Sequence, residues 1–280
     1  MRLLLFVVFL EVWATSLQAG IDPPPGAGAR AVGLGYAYAA VSGDVWAAFL
    51  NPAGIATTDR LAAATHVEQR YLLSELRYAR AGLVAPLPGT QALGLTIDAG
   101  GLSGYRETGI GLAYGITLLD HIDLGARFSY VQLDLGTYGA SGTPLVDVGV
   151  QARLSDQIRL GFSAANVNRG SLQVQGGERQ YLPTVARAGL AFQAGKQALL
   201  VADVSKDIDH PASFRVGVEY QLHELVVARV GYATAPQSLH AGLGLRWRAL
   251  DLDVAATHTR LLGASLHVSA GWQLGRSAQR

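Results

Sequence analysis

The sequence predicts an all-β fold, a transmembrane antiparallel β-barrel of about fourteen strands whose N-terminal segment plugs the lumen. Three observations carry this. From about Arg60 to Leu274 apolar and polar residues alternate with a period of two. The alternating runs are close to the ~9–11 residues that a tilted strand needs to cross a bilayer. The links between runs are tight on one side and longer on the other, which sorts them by membrane face as a two-sheet sandwich has no reason to do.

Residues 1–19, MRLLLFVVFLEVWATSLQA, read as a secretory signal. Arg2 gives the positive start, Leu3 to Leu10 the apolar core and Ala19 the small residue before cleavage. The apolar run falls well short of the ~20 residues of a spanning helix.

Residues 20–58 are rich in Gly and Ala and are expected to form a hatch. A lumen ringed by about fourteen strands is too wide for wall side chains alone to fill. Small residues pack closely inside such a wall. Within the hatch, Arg30 and Asp44 are expected to pair with wall charges such as Asp147, Glu219 or Arg215. Asn51-Pro52 is expected to end the hatch and turn the chain into the first strand. Gly26 to Ala31 also fits the G-x-G-x-x-A dinucleotide pattern, but it follows Pro23-Pro24-Pro25 rather than a strand, so the required context is missing.

Residues 59–275 form the predicted barrel. Val146, Val148, Val150 and Ala152 share one face, opposite Asp147, Gly149, Gln151 and Arg153. Phe214, Val216, Val218, Tyr220 and Leu222 likewise oppose Arg215, Gly217, Glu219 and Gln221. Breaks in phase near Arg80 and Tyr130 predict β-bulges. Longer outer links are expected at 100–106, 135–143, 168–182, 206–212, 234–237 and 259–263. A two-residue turn at Arg248-Ala249 places Trp247 opposite Leu250 and Arg246 opposite Asp251, so that like faces like. Arg246 and Asp251 are then expected to form a lumen ion pair, with Asp253 one step further and Arg215 and Glu219 in the same polar lattice. Trp247 and Trp272 suit a periplasmic interfacial girdle. Residues 276–280 are left as a C-terminal tail.

Composition narrows the function. Lys+Arg number 22 and Asp+Glu 21, a net charge of +1, so no basic excess exists to bind nucleic acid. There is no Cys among the 280 residues, which removes disulfides and thiolate metal sites. The seven His lack the spacing of a metal site. No G-x-S-x-G elbow accompanies the Ser and His of the last two strands, although His258 and His267 lie near Ser265 and Ser269 in sequence. We therefore expect no catalytic residues, no metal and no cofactor.

The pattern Gly28-Ala29-Arg30-Ala31-Val32-Gly33-Leu34-Gly35, then Asp44, then Asn51-Pro52-Ala53-Gly54-Ile55-Ala56, resembles the opening of the PorV/PorQ family. That family is related to FadL-type outer-membrane barrels, whose N-terminal segment folds into the lumen as a hatch. Tyr36 stands where such proteins often carry a further Gly. The resemblance marks Arg30, Gly33, Gly35, Asp44, Asn51 and Pro52 as hatch residues. It implies a non-enzymatic barrel in the bacterial outer membrane, contacting lipid and docking exported or envelope proteins in a type IX-like secretion or surface-attachment role. The alternative is FadL-like transport of hydrophobic small molecules.

Overall fold

The computed structural model describes residues 27–173 and 179–274. The expected signal, residues 20–26 of the expected hatch and the expected tail lie outside the described residues.

Fourteen strands close into one antiparallel barrel. The first seven in chain order are β1 Leu61–Gln69, β2 Arg77–Leu87, β3 Gln91–Leu102, β4 Tyr105–Leu118, β5 Ile122–Asp134, β6 Ala140–Arg153 and β7 Ile158–Ala165. A short ribbon, β8 Ser171–Leu172 with β9 Gln180–Tyr181, stands apart from the wall. The wall resumes with β10 Val185–Ala194, β11 Ala198–Asp207, β12 Ser213–His223 and β13 Val226–Thr234. It ends with β14 Gln237–Trp247, β15 Leu250–Thr259 and β16 Gly263–Leu274. The last strand pairs with the first, Leu61 opposite Leu274 through Gln69 opposite Leu266, so the sheet has no free edge. Closure matters because unpaired backbone groups cannot face hydrocarbon.

The two faces separate as the alternation requires. Val148, Val216 and Leu252 are exposed on the outside, together with Leu, Ile, Phe and Tyr from the other strands. Asp123, Asp147, Gln151, Asp203, Glu219 and Arg229 are buried on the inside. An apolar exterior around a buried polar interior inverts the arrangement of a water-soluble domain and is what lipid requires. Trp247 and Trp272 both flank Leu250 on the outer face, at the end that carries Leu61 and Leu274. We call this end inner.

Two expectations about the wall need correction. The pairing runs without interruption through Arg80 and through Tyr130, and the irregularity falls instead between Gln221 and His223. The sequence looks out of phase near Arg80 because Tyr78 and Val84 are apolar yet face inward, where they are buried. The outer links are also less uniform than expected. Residues 103–104 and 235–236 are two-residue connections, because β3, β4, β13 and β14 run on where loops were expected.

Residues 27–58 lie inside the barrel. They form α1 Ala29–Gly33, α2 Ala47–Leu50 and a 3-10 turn, Pro52–Ile55. Ala29, Ala31, Val32, Leu34, Ala47, Ala48 and Ile55 are fully buried, and Val45, Ala48 and Ile55 share one apolar cluster with Val84, Ala92 and Ala113 of the wall. This gives the inward apolar residues of β2 to β4 a partner other than lipid.

Candidate functional site

The site is the hatch in its seat. A coil inside a barrel has backbone donors and acceptors that neither sheet nor water satisfies, so lumen side chains must meet them. Asp203 on β11 accepts the amides of Tyr38 and Ala39 at 2.7 and 2.8 Å. Gln151 on β6 donates its amide nitrogen to the carbonyls of Ala39 and Val41, both at 2.9 Å. Ser269 on β16 accepts the amide of Ala29 at 2.7 Å.

Asn51 is the hub of the second half. It is fully buried, its Oδ1 accepts the amide of Ala53 at 3.2 Å, and its Nδ2 donates to the carbonyls of Ala39 at 2.6 Å and Phe162 at 3.3 Å. It thereby caps the 3-10 turn that Pro52 begins, the position where a proline costs no hydrogen bond. Asp59 and Arg60 follow before β1 starts at Leu61. The wall admits the turn through Gly125, where a Cβ would overlap the backbone of Pro52 and Ala53.

Arg30 anchors the first half. Its guanidinium reaches Glu219 of β12 through two bonds, Nε to Oε2 and Nη2 to Oε1, both 2.9 Å, and donates to Asp44 at 3.1 Å. A planar fork on a carboxylate is the strongest common ion-pair geometry. Burial opposes the Arg30 charge, but Glu219, Tyr38 and Asp44 more than reverse this and hold its pKa above the ordinary arginine value. Burial and then Asp44 keep the Tyr38 hydroxyl protonated, and it donates to Asp44. Asp44 Oδ1 also accepts the amide of Ala47 at 3.1 Å.

From Glu219 the network crosses the wall. Arg229 on β13 donates to Glu219 at 2.6 Å and to Asp253 on β15 at 2.6 Å. It can reach past β14 because Gly244 puts no side chain in its way. Arg246 sits opposite Asp251, as the turn geometry predicts, but its side chain turns to Glu219 at 3.4 Å. The expected Arg246–Asp251 ion pair does not form, because Glu219 is the centre to which three arginines converge. Arg215 stands opposite Asp203 in the sheet without an ion pair, and Asp147 pairs with Arg127 at 2.8 Å. Of the three wall charges expected to meet the hatch, Glu219 does.

Gly33 closes α1, and Gly35 follows it with a positive φ of 66°. Tyr36 then adopts φ 61° as well, a conformation that suits glycine better, and its ring meets His240 edge-on at 5.6 Å. His258 faces outward while Ser265, His267 and Ser269 face the lumen, so a Ser-His pair with His258 is not assembled. The sequence missed one grouping. Barrel closure brings His66, Glu68 and His267 together, from strands at opposite ends of the chain. Only the register across the closing seam could have revealed it.

Cavities lie at both ends of the hatch. Two at the inner end, about 550 and 650 Å³, both touch Arg30 and are lined mainly by polar and charged groups. A smaller one of about 100 Å³ at the other end is bounded by Tyr36, Leu50, Arg187, Arg215, His240 and His267.

A closed barrel with an apolar exterior, a charged lumen and the segment before its first strand, residues 27–58, packed inside is a plugged barrel of the outer-membrane type. Solved structures of that kind share the fold. The chain matches a FadL homologue of Pseudomonas aeruginosa with a TM-score of 0.67 at 12% identity, over 90% of this chain and 99% of that one. It matches the Ralstonia pickettii toluene transporter TbuX with a TM-score of 0.69 at 13% identity, over 89% and 99%. For the Pseudomonas putida toluene transporter TodX the values are 0.62 and 12%, over 89% and 97%. No protein-family model matches the sequence, and no curated protein matches it.

Proposed function

We propose that the chain is a FadL-like outer-membrane barrel that passes hydrophobic small molecules past its hatch. The observation that carries this reading is the seated hatch inside a fourteen-strand wall, in a fold shared almost end to end with barrels described as toluene transporters. Those neighbours favour transport over the secretion-docking role that the PorV/PorQ resemblance implies. Transport here needs no chemistry. It needs an apolar solute to leave water, and a hatch that yields or leaves a gap.

The test is direct binding. Purified barrel in detergent is titrated with trifluoromethylbenzene and, separately, with a fluorinated long-chain fatty acid, each followed by ¹⁹F NMR. Saturable binding of at least one probe, weakened by Asn51→Ala, is the expected result. Absence of saturable binding by both would remove the proposal.

A further inference from the structure

We propose that His66, Glu68 and His267 form a divalent transition-metal site, with Zn²⁺ its natural occupant, clasping the seam where β1 meets β16. One potential ligand atom from each residue lies within 4.8 Å of the others, and all three residues are buried. The register places Glu68 directly opposite His267 and His66 opposite Ser269, so the grouping is built by the backbone pairing that closes the barrel. The two imidazoles stack with centroids 5.6 Å apart and planes 12° apart.

The second observation concerns the ring nitrogens. Each imidazole uses one nitrogen on a hydroxyl: His66 Nδ1 on Ser269 at 2.9 Å, and His267 Nε2 on Thr257 at 3.4 Å. His66 Nε2 and His267 Nδ1 are buried without a hydrogen-bond partner. A buried nitrogen left unpaired needs an explanation. A ring that gives one N–H to an oxygen and directs the other lone pair at a cation is how metal-bound histidines are oriented. Two imidazoles and one carboxylate are a zinc donor set that leaves a position open.

The surroundings shape what binds. Arg70 holds Glu68 at 2.9 Å, and Arg80 stands opposite His66 on β2. Two neighbouring cations disfavour Ca²⁺ and Mg²⁺, which depend on several oxygen ligands. Imidazole-preferring ions tolerate them better. The site also touches the hatch. Ser269 accepts both from Ala29 of α1 and from His66 when the proton sits on Nδ1, and Trp46 lies edge-on to His66 at 5.8 Å. A bound ion therefore fixes the serine that holds the start of the hatch.

The experiment uses untagged, folded barrel dialysed against Zn²⁺ and analysed by elemental mass spectrometry. We expect about one zinc per chain, a loss of at least tenfold in affinity for His66→Gln and for His267→Gln, and no retention of Ca²⁺ or Mg²⁺. Mobility shift on heating in detergent gels verifies that each variant is folded. If a variant does not fold, wild type dialysed against Co²⁺ reads the same site, with a visible absorption band that Zn²⁺ but not Mg²⁺ abolishes. Folded wild type that retains no more zinc than the variants, or that shows no Co²⁺ absorption displaced by Zn²⁺, overturns the proposal.

Discussion

Replacing Arg30 by Met tests whether one ion-pair centre keeps the hatch docked. Met preserves the apolar stem and removes the fork. Three charge-assisted bonds disappear, two to Glu219 and one to Asp44, from side chains that are 10–21% exposed. Each such bond is worth about 1.5–3 kcal/mol. The acceptors are not abandoned, however. Glu219 keeps Arg229 and Arg246, and Asp44 keeps Tyr38 and the amide of Ala47. The net loss should therefore sit near the low end for breaking a buried pair, about 3 kcal/mol. At 1.4 kcal/mol per tenfold, this shifts the balance of docked and undocked hatch by roughly a hundredfold. Single-channel recording in planar bilayers measures it, because an undocked hatch opens a water-filled lumen. The open probability of Arg30→Met should rise by about that factor toward the ceiling set by a variant lacking residues 27–58. Arg30→Lys should recover only part of the loss, since an ammonium cannot grip both oxygens of Glu219. An open probability for Arg30→Met within about twofold of wild type would refute the role of this centre, because it corresponds to under ~0.5 kcal/mol.

Two further substitutions probe the other half of the seat and the lipid face. Gly125→Val should expel the Pro52–Ile55 turn, since even a Cβ there overlaps Pro52 and Ala53, and raised conductance with an unchanged heat-modifiable band is the expected reading. Val254→Arg places a charge on the outer face in the middle of β15 and should lower barrel stability by about 2–4 kcal/mol in urea titrations with lipid vesicles, if that face meets hydrocarbon.

Much of the wall was legible because alternation is a one-dimensional signal. Trp247 opposite Leu250 and Arg246 opposite Asp251 follow from turn length and face alone, and both pairings stand in the structure. The reading fails where a third body intervenes. Tyr78 and Val84 look out of register only to a rule that assigns apolar side chains to lipid; the hatch supplies a second apolar surface, and Val84 packs on it. The hatch itself was legible from its small residues, and Glu219 stood among three candidate partners for Arg30. What no spacing could yield is the convergence of Arg30, Arg229 and Arg246 on one carboxylate, which depends on side chains reaching across neighbouring strands. Arg246 shows the limit most clearly: its backbone register is set by the nearest turn, its ion pair by a strand two places away.

Under the proposed transport role, the short outer links bear on the choice of solute. With only two residues at 103–104 and at 235–236, these links are too short to build a ligand site above the barrel. In the proposed transport role the lumen offers a selecting space, the outer cavity of about 100 Å³ between Tyr36 of the hatch and His240, Arg187 and Arg215 of the wall. An apolar cavity of about 150 Å³ holds one benzene; this space is smaller and Glu68 and Arg70 also line it, so a solute admitted there must be compact and must displace polar neighbours. Rigid rings also give up little conformational entropy on entry, whereas a long alkyl tail loses about 0.5–1.5 kcal/mol for each rotamer-rich group that is ordered. The trifluoromethylbenzene probe should therefore bind more tightly per heavy atom than the fatty acid. The reverse order would mean that the solute bypasses this cavity and that the hatch, rather than the outer lumen, does the selecting.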